Sequence, residues 1–282
     1  MIVTRFAPSP TGPLHLGHAF SALTAADLAA SSGGRFLLRI EDIDRSRARP
    51  EWERLIEEDL TWLGLDWPRP VMRQSDRLPV YHAALDRLWT SGLLYPCTCH
   101  RRDIEAAARA PQEGGEPVVG PDGIVYPGTC RHRHDRSGPM PYALPLRLDM
   151  AAAMQRVGDL TAAKEIGAAP VAPTEPSHMI DTIGDVVLSR RDMGTSYHLS
   201  VVVDDAAQAV THVVRGADLS DATPIHLLLQ RLLGLPAPIY LHHRLIRDEA
   251  GKRLAKRDDA RAISAYRADG LGPSDIRRMV GL

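Results

Sequence analysis

The first forty residues constrain this chain more than any other stretch. Ile2 to Phe6 is a short apolar run bounded by A-P-S-P-T-G-P, whose three prolines and one glycine exclude a helix, so the run reads as a strand followed by a loop. Apolar residues then recur at Leu16, Ala19, Phe20, Leu23, Ala26 and Ala30, three and four apart, which predicts a helix from near Gly17 to Gly33-Gly34. Arg35 to Ile40 reads as a second strand. Strand, helix and strand in that order make a βαβ unit, and a βαβ unit implies a parallel sheet that binds ligands where strands end and helices begin.

The rest of the chain extends that unit and then interrupts it. Pro50 followed by E-W-E-R-L-I-E-E-D-L-T-W-L-G predicts a proline-started, acid-rich helix stopped by Gly64, and a second amphipathic helix is predicted from about Leu78 to Gly92. Between Ala110 and Pro145 seven prolines and six glycines in 36 residues exclude regular helix or central strand, which marks an inserted, loop-rich subdomain. Around Asp185 to Asp218 the runs V-V-L, L-S-V-V-V and V-V-R read as the sheet resuming, with a helix expected from Ala222 to Gly234. A length of 282 residues fits one large α/β domain with an insertion, or two modest domains. The expected fold class is α/β: a Rossmann-like parallel-sheet nucleotide-binding domain split by an insertion, with a short C-terminal extension. The expected division is 1–95 and 185–238 for the two halves of that domain, 96–184 for the insertion and 239–282 for a basic loop and tail.

Charge and cysteine usage narrow the partners. Lys+Arg 34 against Asp+Glu 35 leaves a net charge of −1, so any contact with a polyanion must come from local patches. The segment from Leu241 to Leu282 is the basic one, with ten Lys+Arg against six acids. No run of 18 apolar residues exists and MIVTRFAPSPTG lacks the apolar stretch of a signal peptide, so a cytoplasmic protein without a membrane partner is expected. Cys97, Cys99 and Cys130 are an odd set in a compartment where disulfides are rare, which leaves metal ligation or buried apolar packing, and their clustering favours metal.

Two stretches carry phosphate chemistry. P-T-G-P-L-H-L-G-H, Pro10 to His18, sits directly after the first strand at the start of the first helix, where unsatisfied N–H groups and the positive end of the dipole make an anion site. Gly17 permits close backbone approach, and His15 and His18 add ring N–H donors for phosphate oxygens; the plainer alternative is that these histidines merely cap the helix. Gly251-Lys252-Arg253-Leu254-Ala255-Lys256-Arg257 places four cations in a loop after I-Y-L, a pattern that alone is more often a solvated face. Together the two would suit attack on the α-phosphate of ATP with pyrophosphate leaving.

R-F-A-P-S-P-T-G-P-L-H-L-G-H from Arg5, G-G-R-F-L-L-R-I-E-D-I-D-R-S-R from Gly33, and V-V-V-D-D-A-A-Q-A-V-T-H-V-V-R-G-A-D-L from Val201 resemble the glutamyl branch of class I aminoacyl-tRNA synthetases over nearly the whole chain. His15 to His18 matches the HIGH signature and Arg253 to Arg257, R-L-A-K-R, takes the place of KMSKS, with Arg253 for its first lysine and Ala255 for its serine. The resemblance implies His15, His18 and Lys256 as catalytic groups, and His15, Gly17, His18, Arg253, Leu254, Ala255, Lys256 and Arg257 around ATP and its Mg2+. It aligns Arg5, Ala7, Ser9, Glu41, Tyr197 and Arg215 with an L-glutamate pocket. Chemically, guanidinium pairs with carboxylate and Glu41 would meet the α-ammonium.

Only 26 residues follow Lys256, too few for the anticodon-reading domains with which the longer members continue, so no such domain is expected. The chain thus resembles the short members of the branch, and that resemblance implies transfer of glutamate to queuosine at the wobble position of tRNA(Asp), without RNA being needed for activation, by a monomer. The alternatives are a relative that charges the 3′ end of tRNA(Glu), and an inactive RNA-binding module. For the cysteines, three thiolates suit structural Zn2+, whose fourth ligand from residue chemistry would be sought at His100, His132 or His134. The resemblance points instead to Tyr126, giving Cys97, Cys99, Tyr126 and Cys130.

Overall fold

In the computed structural model, which describes residues 1–109, 116–167, 174–247 and 260–282, the βαβ unit is built from strand β1 (Val3–Phe6), helix α1 (Leu16–Ala30) and strand β2 (Arg35–Ile40). β1 and β2 pair in parallel, Arg5 opposite Leu37 and Phe6 opposite Leu38. A Cβ at Gly34 would lie 2.1 Å from Ile2 O, so the glycine pair that ends α1 also lets the chain pass β1 at backbone contact. Helix α2 (Pro50–Trp62) starts at its proline with Glu51 and Glu53 in the first turn, and leads to strand β3 (Met72–Arg73), parallel to β2.

Helix α3 (Leu78–Thr90) carries the chain into the insertion. There strand β4 (Leu94–Pro96), helix α4 (Arg101–Arg109), the short pair β5 (Val119–Gly120) and β6 (Gly123–Ile124), strand β7 (Leu146–Leu148), helix α5 (Met150–Val157), the turn α6 (Pro176–His178) and strand β8 (Val187–Ser189) follow. β4, β7 and β8 form one antiparallel sheet in that order. The V-V-L run therefore does not resume the parallel sheet as expected; it closes the sheet of the insertion.

L-S-V-V-V is also corrected, from strand to the interior of helix α7 (Tyr197–Ala207). Ser196 caps this helix by accepting from Leu199 N, and His198 to Asp205 are all buried. A helix covered on all sides shows an unbroken apolar run rather than a stripe, which periodicity cannot separate from a buried strand.

The parallel sheet returns with strand β9 (His212–Gly216), then helix α8 (Thr223–Leu233), then strand β10 (Ile239–His243), parallel to β9. Thr211 N donates to Val3 O at 2.9 Å and Arg5 Nη1 to Val214 O at 3.3 Å, so β9 runs alongside β1 in the same direction. Successive residues of β9 enter different cores: Val213 packs with Tyr81, Leu85, Leu199 and Leu228, whereas Val214 packs with Leu14, Phe20, Leu38 and Ile276. Burial on both faces is what a parallel sheet with covering helices requires. Helices α9 (Ile263–Ala268) and α10 (Pro273–Val280) complete the second core against α1, and Ile263 N donates to Leu14 O at 2.8 Å. Among the described residues no helix is long and apolar enough to cross a membrane.

Candidate active site

A cleft of about 1480 Å³ opens at the carboxyl ends of β1, β2 and β9 and the start of α1. It is larger than the roughly 300–1,000 Å³ that houses one small molecule, leaving room for a nucleotide and an amino acid together. Arg5, Ala7, Ser9, His15, Gly17, His18, Glu41, Tyr197 and Arg215 all line it. Arg253, Leu254, Ala255, Lys256 and Arg257 lie outside the described residues.

His15 is the N-cap of α1. Its Nδ1 accepts from Gly17 N at 3.1 Å, and His18 Nδ1 accepts in return from His15 N at 3.1 Å, with the two rings 3.8 Å apart. The capping alternative and the phosphate reading are thus compatible, because an accepting Nδ1 puts the proton of each neutral ring on Nε2 and makes that atom the donor. The close approach at Gly17 is made by the His15 ring itself, whose Cε1 would stand 3.0 Å from an added Cβ.

Behind Arg5 and Glu41 lies an ionic network whose other members, Arg39, Asp204 and Asp205, the sequence does not mark as a site. Arg39, fully buried, contacts Asp205 at 2.6 Å, Glu41 at 3.1 Å and Asp204 at 4.0 Å, and Arg5 Nε contacts Asp205 at 3.1 Å. Asp204 also accepts from Tyr81 at 2.7 Å and Gln74 at 3.0 Å. Burial raises the Asp205 carboxyl, but Arg5 and Arg39 outweigh it and hold the group below the ordinary carboxylate range. At Glu41 burial wins over Arg39 and Arg5 and pushes the carboxyl up, so a cation arriving beside it would favour its ionised form. The signal for this network was the D-D pair in V-V-V-D-D, two acids on a helix with no exposed face to take them.

Arg215 differs from Arg5. It is buried at 4 % exposure and, among the described residues, no carboxylate stands within 4.0 Å of it. Its Nε donates to His242 Nε2 at 3.1 Å, Nη1 to His226 Nδ1 at 2.9 Å and Nη2 to Thr223 Oγ1 at 2.7 Å. Arginine has five N–H donors, so these contacts leave one on each terminal nitrogen, enough for a two-pronged bond to a carboxylate. Burial and the Arg215 charge hold His226 well below the usual histidine range, and the same two causes lower His242 against the pull of Glu165.

Outside the residues that line this cleft, in the insertion, the sulfurs of Cys97, Cys99 and Cys130 lie within 4.8 Å of one another. The Tyr126 hydroxyl stands 3.5 Å from Cys97 Sγ and 3.3 Å from Cys99 Sγ and accepts from Cys130 N at 2.9 Å. None of His100, His132 or His134 joins the group. Burial pushes the Cys130 thiol up, but hydrogen bonds from Tyr126, Thr98 and Cys99 reverse this and bring it down to about 6, while burial pushes Cys99 up to about 11. The Arg147 guanidinium lies 3.8 Å over the Tyr126 ring.

Comparison with known proteins gives the family. The family described as tRNA synthetases class I (E and Q), catalytic domain, matches residues 1–282. A Glutamyl-Q tRNA(Asp) synthetase of Rhodobacter capsulatus is 63% identical over 100% of both chains, and one of Nocardia farcinica is 42% identical over 96% of this chain and 81% of that one. The crystal structure of a glutamate tRNA ligase from Elizabethkingia meningosepticum in complex with its amino acid superposes with a TM-score of 0.76 at 26% identity; this chain is covered completely and spans 60% of that one. A methionyl-tRNA synthetase of Mycobacterium tuberculosis, 12% identical at a TM-score of 0.62, shares the fold.

Proposed function

The chain belongs to the family of class I tRNA synthetases for glutamate and glutamine, and on that premise we propose that it activates L-glutamate with ATP and transfers the glutamyl group to queuosine in the anticodon of tRNA(Asp). The observation that carries the activation step is one cleft lined both by the His15–His18 helix start and by a buried Arg215 with no carboxylate partner among the described residues. In this reading Arg215 takes the side-chain carboxylate of glutamate, and Glu41 and Tyr197 face its α-ammonium, with Arg5, Ala7 and Ser9 completing the pocket. An α-carboxylate oxygen attacks the α-phosphorus, the bond to pyrophosphate breaks with its electron pair leaving on pyrophosphate, and the Nε2–H groups of His15 and His18 stabilise the charge gathering on the phosphoryl oxygens. Lys256, with its sequence neighbours Arg253, Leu254, Ala255 and Arg257, is proposed to bind the departing phosphates. Mg2+ bound with ATP would spread the phosphate charge. In the second step an acceptor hydroxyl attacks the anhydride carbonyl and AMP leaves, so no protein nucleophile is needed.

Support for the acceptor comes from the similar Glutamyl-Q tRNA(Asp) synthetases, and residues 96–184 are proposed to contact it. Four donor atoms converge at Cys97, Cys99, Tyr126 and Cys130, including a thiol already held toward thiolate, and this set fits a structural Zn2+ that would tie two loops of the insertion together. A cytoplasmic monomer is proposed on the same family reading.

The acceptor is tested by offering the protein ATP, radiolabelled glutamate and either queuosine-bearing tRNA(Asp) or tRNA(Glu), then digesting to nucleosides. Label on the anticodon nucleoside of tRNA(Asp) is expected. Label on the terminal adenosine of tRNA(Glu) would contradict the reading.

A further inference from the structure

Arg215 is a buried cation whose nearest partners are two histidines and a threonine, and those histidines are not alone. Arginine can only donate, so His242 Nε2 and His226 Nδ1 must both accept, and the proton of each neutral ring lies on its other nitrogen. On His242 that nitrogen is Nδ1, which bonds to the carboxylate of Glu165. On His226 it is Nε2, which meets His198 Nδ1 at 3.1 Å. Neither His242, Glu165 nor His226 lines the cleft.

Glu165 arrives from an unexpected direction. Residues 164–166 of the insertion return to the edge of the parallel sheet: Tyr240 N donates to Lys164 O at 2.7 Å and Ile166 N donates to Tyr240 O at 2.9 Å. This puts Glu165 beside β10 and within reach of the ring two residues beyond Tyr240. We propose that Glu165 and His242 are a positioning pair for glutamate binding, the carboxylate fixing the His242 ring so that its Nε2 fixes the plane of the Arg215 guanidinium. The proposal rests on the reading of Arg215 as the carboxylate-binding group. A guanidinium pinned at Nε and at one site on each terminal nitrogen has its remaining two N–H groups pre-set, and a pre-set donor pair loses less freedom when a carboxylate binds. The pair touches no substrate; it acts through Arg215.

The test is the Michaelis constant for glutamate in ATP–pyrophosphate exchange by the full-length protein, with that for ATP measured in parallel and folding checked by circular dichroism. E165A and H242A are expected to raise the glutamate constant by about tenfold or more, the usual scale for losing an orienting partner, with the ATP constant and kcat within about threefold of the parent. E165Q keeps an amide oxygen that accepts from His242 Nδ1, and should recover most of the loss. R215A should be worse than any of them. An unchanged glutamate constant in E165A, or no recovery in E165Q, overturns the positioning pair; if E165A does not fold, an unchanged constant in folded H242A overturns it. An unchanged constant in R215A would instead overturn the pocket itself, so the two failures are distinct.

Discussion

His15 caps α1 through Nδ1 and thereby holds its own proton on Nε2, so one ring can serve both the stability of the helix and the chemistry proposed at its start. The two roles separate by substitution. H15A should lose about 0.5–2 kcal/mol of stability, the cost of an N-cap, and about 10²–10³ in pyrophosphate exchange, the cost of one transition-state donor. H15N, whose amide oxygen can still accept from Gly17 N, should recover most of the melting temperature and little of the rate. A rate that returned with stability would make His15 a cap only. The types of these side chains were legible because H-x-G-H follows a strand and opens a helix. The buried partners were not, because nothing in a sequence shows that Glu165, His198, His226 and His242, spread over 78 residues, meet around one guanidinium.

At the scale of elements, α2 carries a liability that α9 offsets. Asp59 is fully buried with neither carboxylate oxygen hydrogen-bonded, and Arg267 of α9 stands 3.6 Å away. Burial pushes its carboxyl up to about 6, against the pull of Arg267. An acid whose folded value lies above its unfolded one favours folding when protonated, and that contribution is lost as pH rises from about 4 to about 6. D59N should therefore gain stability relative to the parent across that window, by on the order of 1–2 kcal/mol, as read by denaturant melts at pH 4 and pH 7. A difference that did not change with pH would show that Asp59 stays ionised. In the insertion, C97S should lose bound zinc by elemental analysis, and unchanged stoichiometry would sink the site. The elements flanking these sites were legible where an apolar stripe or proline start marked them, as in α1 and α2. L-S-V-V-V differs from the expected strand because full burial erases the period that separates strand from helix, whereas V-V-L is a strand as expected and differs only in the sheet it joins, which no local pattern marks.

Over the whole molecule, distant segments converge on the parallel strands and on the start of α1. The insertion reaches back through residues 164–166 to β10, and the residues after the basic loop return to Leu14 beside the α1 cap. The parallel-sheet class was legible from the first forty residues. The antiparallel sheet of β4, β7 and β8 was not, since its three strands are three residues each and paired residues such as Leu94 and Leu148 lie far apart in the chain. The cleft holds both the His15–His18 helix start and the buried Arg215, and the proposed function stands on the first serving phosphate and the second carboxylate. The most direct measurement is glutamate-dependent ATP–pyrophosphate exchange by the purified protein with all RNA removed. The account predicts exchange under those conditions, abolished when glutamate is omitted; exchange that appears only when tRNA(Glu) is added, or none with any tRNA, would contradict it.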